Sequence, residues 1–230
     1  MQKISRRQNE NNQKVTKPIY SDLDEAITVL KQTATAKFTE TVELHANLNI
    51  NPKYADQQLR TTVTLPNGTG KEIKVAVLTS EDNLEMAKTA GADIVGSTSL
   101  VDEISTGTIN FDLLITTPEM MPKLAKLGRV LGPKGLMPSP KSGTVTTNIT
   151  ETVTDFKKGK FEYKADKTGI AHINFGNTSF SDAELKENFL ALFKSIEQNR
   201  PPGVKGKYYK SLFICTTMGP SIKLDLASFS

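Results

Sequence analysis

Tryptophan is absent from this 230-residue chain, and the aromatic content is only 7%. The hydrophobic cores must therefore consist of Val, Ile, Leu and a few Phe side chains. A single cysteine excludes an intrachain disulfide and suits a reducing compartment. No apolar run approaches the roughly 18 residues of a membrane span, and the N-terminus lacks the apolar segment of a secretory signal. We therefore expect neither membrane insertion nor secretion.

Residues that support metal or nucleophilic chemistry are also scarce. The chain has two histidines, His45 and His172, and one cysteine, Cys215. Metal sites usually need several Cys or His residues or clustered carboxylates, so we expect no metal site. The apolar strand pattern around Cys215 favours a core residue over a nucleophile. No Ser or Asp pattern accompanies the histidines, so a catalytic triad is not indicated.

Glycine and proline concentrate in one segment, residues 128–144, which reads GRVLGPKGLMPSPKSGT and contains four glycines and three prolines. These residues specify an irregular backbone with little apolar surface, which is typical of a functional loop. A P-loop would require Gly before Lys-Ser and a preceding strand, whereas Lys141 follows a proline and the segment follows a predicted helix. We therefore expect no nucleotide and no other cofactor.

The net charge of +4 conceals an uneven distribution. Residues 1–17, 118–141 and 194–210 each carry a net charge of +4, so the remainder carries −8. This pattern is compatible with polyanion binding or with a solvated basic face, and charge alone does not separate the two. Tyr208 and Tyr209 lie among lysines, which indicates either phosphate contact with base stacking or a packed tyrosine pair.

Hydrophobic patterning separates the two ends of the chain from its middle. Residues 39–49 alternate apolar and polar, which predicts a half-buried strand with Thr, Glu and His on its outer face. Short apolar runs alternate with helical segments between residues 73 and 116, which predicts a parallel α/β unit. A hairpin is predicted around residues 166–169, and Ser181 with Glu184 predicts a capping box.

Other local signals give further expectations. The polar residues 1–17 are predicted to be a mobile arm, followed by a helix that Ser21 caps. Gly128 is expected to end the helix that Pro118 opens, and residues 212–217 are expected to form the final strand.

The predicted architecture is an α+β first domain that is discontinuous, with an inserted α/β second domain. Residues 1–67 and 159–230 form the first domain, and residues 68–158 form the Rossmann-like, three-layer insert. Two chain crossings would act as a hinge at Pro66, Asn67, Gly68, Lys158 and Gly159.

Five motifs occur in the order found in one family: residues 38–48 (FTETVELHANL), 54–63 (YADQQLRTTV), 128–144, 166–169 and 216–221 (TTMGPS). With them, nearly the whole chain after residue 19 resembles the ribosomal protein L1 family. The wording of the second and third motifs resembles plastid and cyanobacterial members. We expect a location in the plastid (chloroplast) stroma, with a bacterial cytoplasm as the alternative.

The resemblance implies a non-catalytic protein of the large ribosomal subunit. It implies binding to large-subunit ribosomal RNA at the mobile stalk and assistance in releasing deacylated tRNA from the exit site. Other large-subunit components are implied partners, and repression of translation through the protein's own mRNA is a further implied role. A small-molecule α/β enzyme is the alternative from a different class.

The family's RNA contacts are implied to come chiefly from the first domain. These contacts would include apolar contacts, hydrogen bonds of hydroxyls and amines to ribose and phosphate, and close approach of the RNA to the backbone at a glycine. Carried over by motif, the rRNA-binding candidates are Lys37, Phe38, Thr41, Glu43, His45, Lys167, Thr168, His172, Thr217, Met218, Gly219 and Ser221.

Overall fold

A computed structural model describes residues 5–228, with helices and strands in a mixed α/β arrangement, as expected. The chain divides into two compact units, one made of the residues up to Gly70 with those from Tyr163 onward, and one made of Lys71–Glu162. The helices are α1 Arg6–Lys14, α2 Leu23–Thr33, α3 Leu84–Thr89, α4 Thr98–Ser105, α5 Met121–Ala125, α6 Gly128–Leu131, α7 Ile149–Lys157 and α8 Asp182–Gln198. The strands are β1 Thr41–Leu48, β2 Arg60–Thr64, β3 Val75–Leu78, β4 Ile94–Gly96, β5 Leu113–Thr116, β6 Lys160–Lys164, β7 Ile170–Asn177, β8 Tyr209–Thr216 and β9 Ile222–Leu224.

The first unit is built on a four-stranded antiparallel sheet in the order β7-β1-β8-β9. Along β1, buried and half-buried side chains alternate without a break, as the sequence predicts. Val42 and Leu44 point into a core that α2 and α8 cover, and Phe175 and Phe189 pack there edge to face. Thr41, Glu43 and His45 therefore lie on the other face of the sheet.

The start of α8 has the predicted capping box. Ser181 Oγ accepts a hydrogen bond from the Glu184 amide, and the Glu184 carboxylate accepts one from the Ser181 amide. This pair satisfies two of the donors that a helix start leaves free. Leu185, Phe189 and Leu192 form the apolar stripe that faces the sheet.

The predicted mobile arm is largely a helix. Residues 1–4 lie outside the described residues, but α1 is held by Asn11, which is 2% exposed. The Asn11 amide donates to the Thr33 carbonyl at 2.8 Å and to Thr35 Oγ1 at 3.2 Å. Polar composition suggested a free segment, but the buried Asn11 amide and the Lys14 ammonium, which donates to the Gln32 carbonyl at 2.9 Å, attach this helix to α2.

Replacing Asn11 with Ala should loosen the attachment of α1 to α2. The change removes three side-chain hydrogen bonds and leaves the buried Thr33 carbonyl without this donor, which costs about 1–3 kcal/mol. Hydrogen exchange of the α1 amides should speed up by roughly tenfold or more, while the amides of β1 keep their protection. Unchanged exchange in α1 would show that other contacts hold it. Asn12→Ala, at an exposed position of the same helix, is the control.

The second unit has a three-stranded parallel sheet in the order β4-β3-β5. All four residues of β3 are buried, because apolar side chains cover both faces of the sheet. Val75 and Val77 pack with Val153 and Phe156 on one side. The opposite side holds a larger cluster with Ala76, Leu78, Leu100, Ile104 and Leu124 among its members.

Four local predictions were wrong. Asp22, not Ser21, caps α2. Gly128 begins α6 rather than ending a longer helix. A further strand, β9, follows β8 and pairs with it. The predicted hairpin closes only at its tip, because β6 pairs with β2 while β7 pairs with β1. Two of the errors concern strand pairing, which distant residues set, and two concern helix boundaries, which the sequence locates less sharply than the helix itself.

Candidate nucleic-acid interface

Antiparallel pairing of β1 with β8 brings two distant motifs to one end of the sheet. Val42 lies opposite Thr216, so the residues before β1 and those after β8 are neighbours. Phe38 is 56% exposed and Met218 is 50% exposed. Two large apolar side chains are thus presented to solvent at the same sheet end, which is uncommon where packing alone decides.

Thr41 and Thr217 join the two strands at this end. Thr217 Oγ1 lies 2.7 Å from Thr41 Oγ1 and accepts a hydrogen bond from the Thr41 amide at 3.0 Å. The Thr217 amide in turn donates to the Thr41 carbonyl at 3.1 Å. Thr217 therefore shapes this strand end as well as offering a hydroxyl to a ligand.

Glu40 is a buried carboxylate that the sequence analysis missed, and it is only 1% exposed. Its two oxygens accept hydrogen bonds from the amides of Ala36 at 3.0 Å and Met218 at 2.9 Å. Burial raises the pKa of Glu40, but the hydrogen bonds from Met218 and Ala36 outweigh it, so the pKa lies below its ordinary value. Glu40 thus holds the segments that carry Phe38 and Met218. Extended back by one residue, the alternation of β1 gives Glu40 an inward position, and this was the signal in the sequence that could have found it.

Cross-strand rows continue the candidate surface along the outer face of the sheet. One row runs His172, His45, Phe213, Lys223, and the next runs Asn174, Glu43, Cys215. Glu43 and the histidines thus meet, as the carried-over motifs require for one surface. Phe213 and Lys223 were not predicted, because only the strand pairing shows that they share this face.

The tip of the turn before β7 lies at the far end of β1, where the Leu48 amide donates to the Gly169 carbonyl at 3.0 Å. Lys167 and Thr168 are exposed there. Asp166 accepts from the amides of Thr168 and Ile170 and from the Thr168 hydroxyl. These hydrogen bonds, with that of Ile170 largest, lower the pKa of Asp166. The predicted residues therefore lie along the outer face of β1 and at both of its ends. We call this strip of the sheet surface, roughly 20 Å long, the β1 stripe.

Ser221 lies beside a cavity of about 660 Å³ at the β9 edge of the sheet. Residues of the N-terminal segment complete its wall. The lining residues are Gln8, Asn12, Val15, Thr16, Lys17, Pro18, Phe213, Pro220, Ser221 and Lys223. The basic N-terminal segment, for which the sequence suggested no place, therefore borders the candidate surface.

The structure explains why position 219 is a glycine, and this explanation could not be foreseen from the sequence. A Cβ atom built at this position would collide with the Thr216 hydroxyl. Gly219 donates its amide to the Thr216 carbonyl at 3.1 Å, which closes the turn after β8. The glycine is thus required by the turn itself, whatever approaches from outside.

The basic segment at residues 200–210 adopts the packed-tyrosine arrangement. Tyr208 is 5% exposed, and Tyr209 stacks on Phe193 with ring centroids 5.1 Å apart. Burial raises the pKa of both tyrosines. Arg200 lies over the Tyr208 ring at 5.5 Å and donates to the carbonyls of Val204 and Gly206. Stacking of bases on these tyrosines is therefore not supported.

The predicted hinge residues are anchored within their own units. In the first unit, Asn188 accepts from the Asn67 amide at 3.1 Å and donates to the Gly68 carbonyl at 2.9 Å. In the second, the amides of Lys158 and Gly159 donate to carbonyls in the last turn of α7. Pro66 belongs to the same turn as Asn67, which the Gly68 amide closes onto the Leu65 carbonyl at 3.2 Å.

The two histidines and the cysteine converge, although their small number led us to expect no metal site. His45 Nδ1 lies 2.8 Å from His172 Nδ1, and His45 Nε2 lies 3.1 Å from Cys215 Sγ. Cys215 is half-buried on the outer face, not in the core.

Among residues 5–228, no helix is both long and apolar enough to cross a membrane.

A sheet face with exposed hydroxyls, a basic margin and two exposed apolar side chains is typical of nucleic-acid-binding proteins. Residues 30–220 match the Ribosomal protein L1p/L10e family. The chain therefore belongs to this family and is a ribosomal protein rather than an enzyme.

Individual relatives show which type of family member the chain resembles. Large ribosomal subunit protein uL1c of Trieres chinensis is 71% identical over 229 residues, which cover 100% of both chains. The protein of that name from Phaeodactylum tricornutum is 69% identical over 230 residues, again with 100% coverage of both. Large ribosomal subunit protein uL1 from a strain of Prochlorococcus marinus is 53% identical over 228 residues, 99% of this chain and 97% of that one. The expected plastid or cyanobacterial type and the plastid location are thereby confirmed.

Proposed function

We propose that this constituent of the large ribosomal subunit binds the subunit's rRNA through the outer face of the four-stranded sheet. One observation carries this proposal: Phe38 and Met218, from two distant sequence motifs, are both exposed at the sheet end that the Thr41–Thr217 hydroxyl pair joins. Apolar contacts to ribose or base faces and hydroxyl bonds to 2′-OH groups are how proteins recognise folded RNA.

The charges on this surface favour a polyanion at its margins. Lys37 and Lys167 are exposed at the two ends of the β1 stripe, and neither has an ion-pair partner among residues 5–228. Glu43 lies between them, 3.6 Å from His45 Nε2. A carboxylate repels phosphate but accepts from a 2′-OH or a base amine, so Glu43 favours one register of RNA on the sheet.

The binding of a large-subunit rRNA fragment that contains the stalk tests this proposal. We expect binding at low salt that weakens steeply as salt rises, because phosphate contacts release counterions. Absence of binding at low salt would refute the proposal. If the protein were instead a small-molecule α/β enzyme, a ligand should protect the second unit, and the chain should show no salt-dependent affinity for RNA.

Replacing Lys37 or Lys167 with Gln should reduce the steepness of this salt dependence. One phosphate contact contributes roughly 0.7–0.9 to the slope of log affinity against log salt. Each variant should therefore lower the slope by about 1 and weaken binding uniformly across RNA sequences. Filter binding over a salt series measures it. Lys88→Gln, at an exposed position of α3, is the control. An equal change of the slope in that variant would contradict the assignment of Lys37 and Lys167 to phosphate contacts.

The finer roles rest on the family resemblance. We extend the proposal to release of deacylated tRNA from the exit site, to repression through the protein's own mRNA, and to a Rossmann-like second domain inserted at residues 68–158. The hinge at Pro66, Asn67, Gly68, Lys158 and Gly159 stays a prediction. Chase of labelled exit-site tRNA from ribosomes with and without the protein tests the first role.

A further inference from the structure

Three potential metal ligands converge on the outer face of the sheet. Glu43 and Cys215 are directly opposite each other in the pairing of β1 with β8, and His45 follows two residues after Glu43 on the same face. One donor atom from each residue lies within 4.8 Å of the other two. His45 Nε2 is 3.1 Å from Cys215 Sγ and 3.6 Å from Glu43 Oε2.

Two of the three separations are close to those of a tetrahedral zinc site, and the third, between Glu43 and Cys215, is within 4.8 Å. With Zn–N and Zn–O bonds of about 2.0–2.1 Å and a Zn–S bond of about 2.3 Å, tetrahedral ligand atoms lie roughly 3.3–3.5 Å apart. The measured 3.6 Å between His45 Nε2 and Glu43 Oε2 and 3.1 Å between His45 Nε2 and Cys215 Sγ each lie within about 0.5 Å of the corresponding tetrahedral separation, a difference that small side-chain rotations can supply. Three protein ligands with an open fourth position are a known coordination pattern for zinc.

His172 provides the outer partner that such a site needs. Its Nδ1 lies 2.8 Å from His45 Nδ1, and in the tautomer in which His45 Nδ1 donates to His172, the lone pair of His45 Nε2 is directed toward Cys215 and Glu43. Metal-bound histidines usually have their second ring nitrogen held in this way. Beyond it, His172 Nε2 lies 3.8 Å from Asp166 Oδ2.

Burial affects two of the three potential ligands, His45 and Cys215. Burial, and then the neighbouring His172, lower the pKa of His45. Burial raises the pKa of the Cys215 thiol to about 11. Loss of the Cys215 proton is therefore costly in the free protein, and metal coordination would have to offset that cost.

We propose that Glu43, His45 and Cys215 bind one Zn²⁺ ion, with water in the fourth position on the outer face of the sheet. On binding, the S–H bond of Cys215 breaks, its proton passes to solvent, and the Zn–S bond forms. The thiolate and the Glu43 carboxylate then balance the two positive charges of the ion. Nitrogen, sulfur and oxygen donors together suit Zn²⁺ rather than Mg²⁺ or Ca²⁺.

Titration of the purified full chain with Co²⁺ tests the site without any RNA. Because Cys215 is the only cysteine, a thiolate-to-cobalt charge-transfer band can come from no other residue of the chain. We expect this band together with the visible bands of tetrahedral Co²⁺, saturating at one equivalent, and both should vanish when Zn²⁺ is added. Absence of the charge-transfer band would overturn the proposal.

Variants separate a built site from adventitious thiol binding. Cys215→Ser should abolish the charge-transfer band, whereas His45→Gln and Glu43→Gln should keep the thiol but weaken Co²⁺ binding at least tenfold. His172→Gln should weaken it by about 10- to 100-fold with the band retained, as expected of an outer partner. Full-strength binding in both His45→Gln and Glu43→Gln would show that Cys215 binds cobalt alone, which contradicts the site. Circular dichroism of each variant verifies that it is folded.

Discussion

Met218→Asp should weaken the binding of stalk rRNA by roughly 10- to 100-fold while leaving the chain folded. Removal of one apolar or stacking contact to RNA costs about 1–3 kcal/mol, and the new carboxylate adds repulsion from phosphate. The fold should persist because the Met218 side chain is half exposed and only its amide is tied, to Glu40. Filter binding with the stalk fragment measures the loss of affinity.

The chain offers a matched control for this variant. Met86 is 57% exposed and lies on α3 in the second unit, whereas Met218 belongs to the first unit. Met86→Asp introduces the same charge and should change the affinity by less than about twofold. Equal losses in the two variants would mean that net charge alone drives the effect, and no loss in Met218→Asp would remove Met218 from the interface.

Glu40→Gln should destabilise the first unit and weaken RNA binding together. The Glu40 carboxylate accepts from two amides at once, whereas a Gln side chain would turn an NH₂ group toward one of them. An unmatched buried donor costs about 1–3 kcal/mol of unfolding free energy. The segments that present Phe38 and Met218 would lose their common anchor, so the affinity for RNA should fall even where the fold survives.

Urea unfolding of wild type and Glu40→Gln at several pH values measures this contribution. Hydrogen bonds to the carboxylate hold the folded pKa of Glu40 below its ordinary value of 4.5. The stabilisation is therefore fully present above that ordinary value and disappears as the pH falls through the lowered folded pKa. We expect the difference between the two proteins to be largest near neutral pH and to shrink in acid.

Glu72→Gln, at an exposed position, is the control and should change stability by less than about 0.5 kcal/mol at any of these pH values. A pH-independent difference for Glu40→Gln would contradict the role of its charge. RNA binding measured at neutral pH on the folded fraction separates lost affinity from lost structure.

Local patterns in the sequence predicted the elements whose stabilising contacts lie within a few residues. The two-residue alternation of residues 39–49 correctly identified which side chains of β1 face inward, and Ser181 and Glu184 correctly marked the start of α8. Asn11 shows the limit. Its polar neighbours predicted a free arm, because no local signal reveals that its amide reaches the Thr33 carbonyl.

The candidate RNA surface was reached through motif resemblance, and its assignment stays a prediction. The resemblance indicated Phe38, Thr41, Thr217 and Met218, but not Glu40, which ties the segments beside them. The alternation of β1 extends back to this residue and assigns it an inward position. A carboxylate at an inward position of a strand was a signal of a buried, hydrogen-bonded charge.

By itself, the sequence determined the family, the mixed α/β class and the burial pattern of β1, because motifs, composition and side-chain periodicity are properties of neighbouring residues. Only the tertiary structure decided that Glu43, His45, His172 and Cys215 share one small area. His45 is 127 residues from His172 and 170 residues from Cys215 along the chain, and strand register alone sets their distances in space. Scarce histidine and cysteine argued against a metal cluster only while their positions in space were unknown.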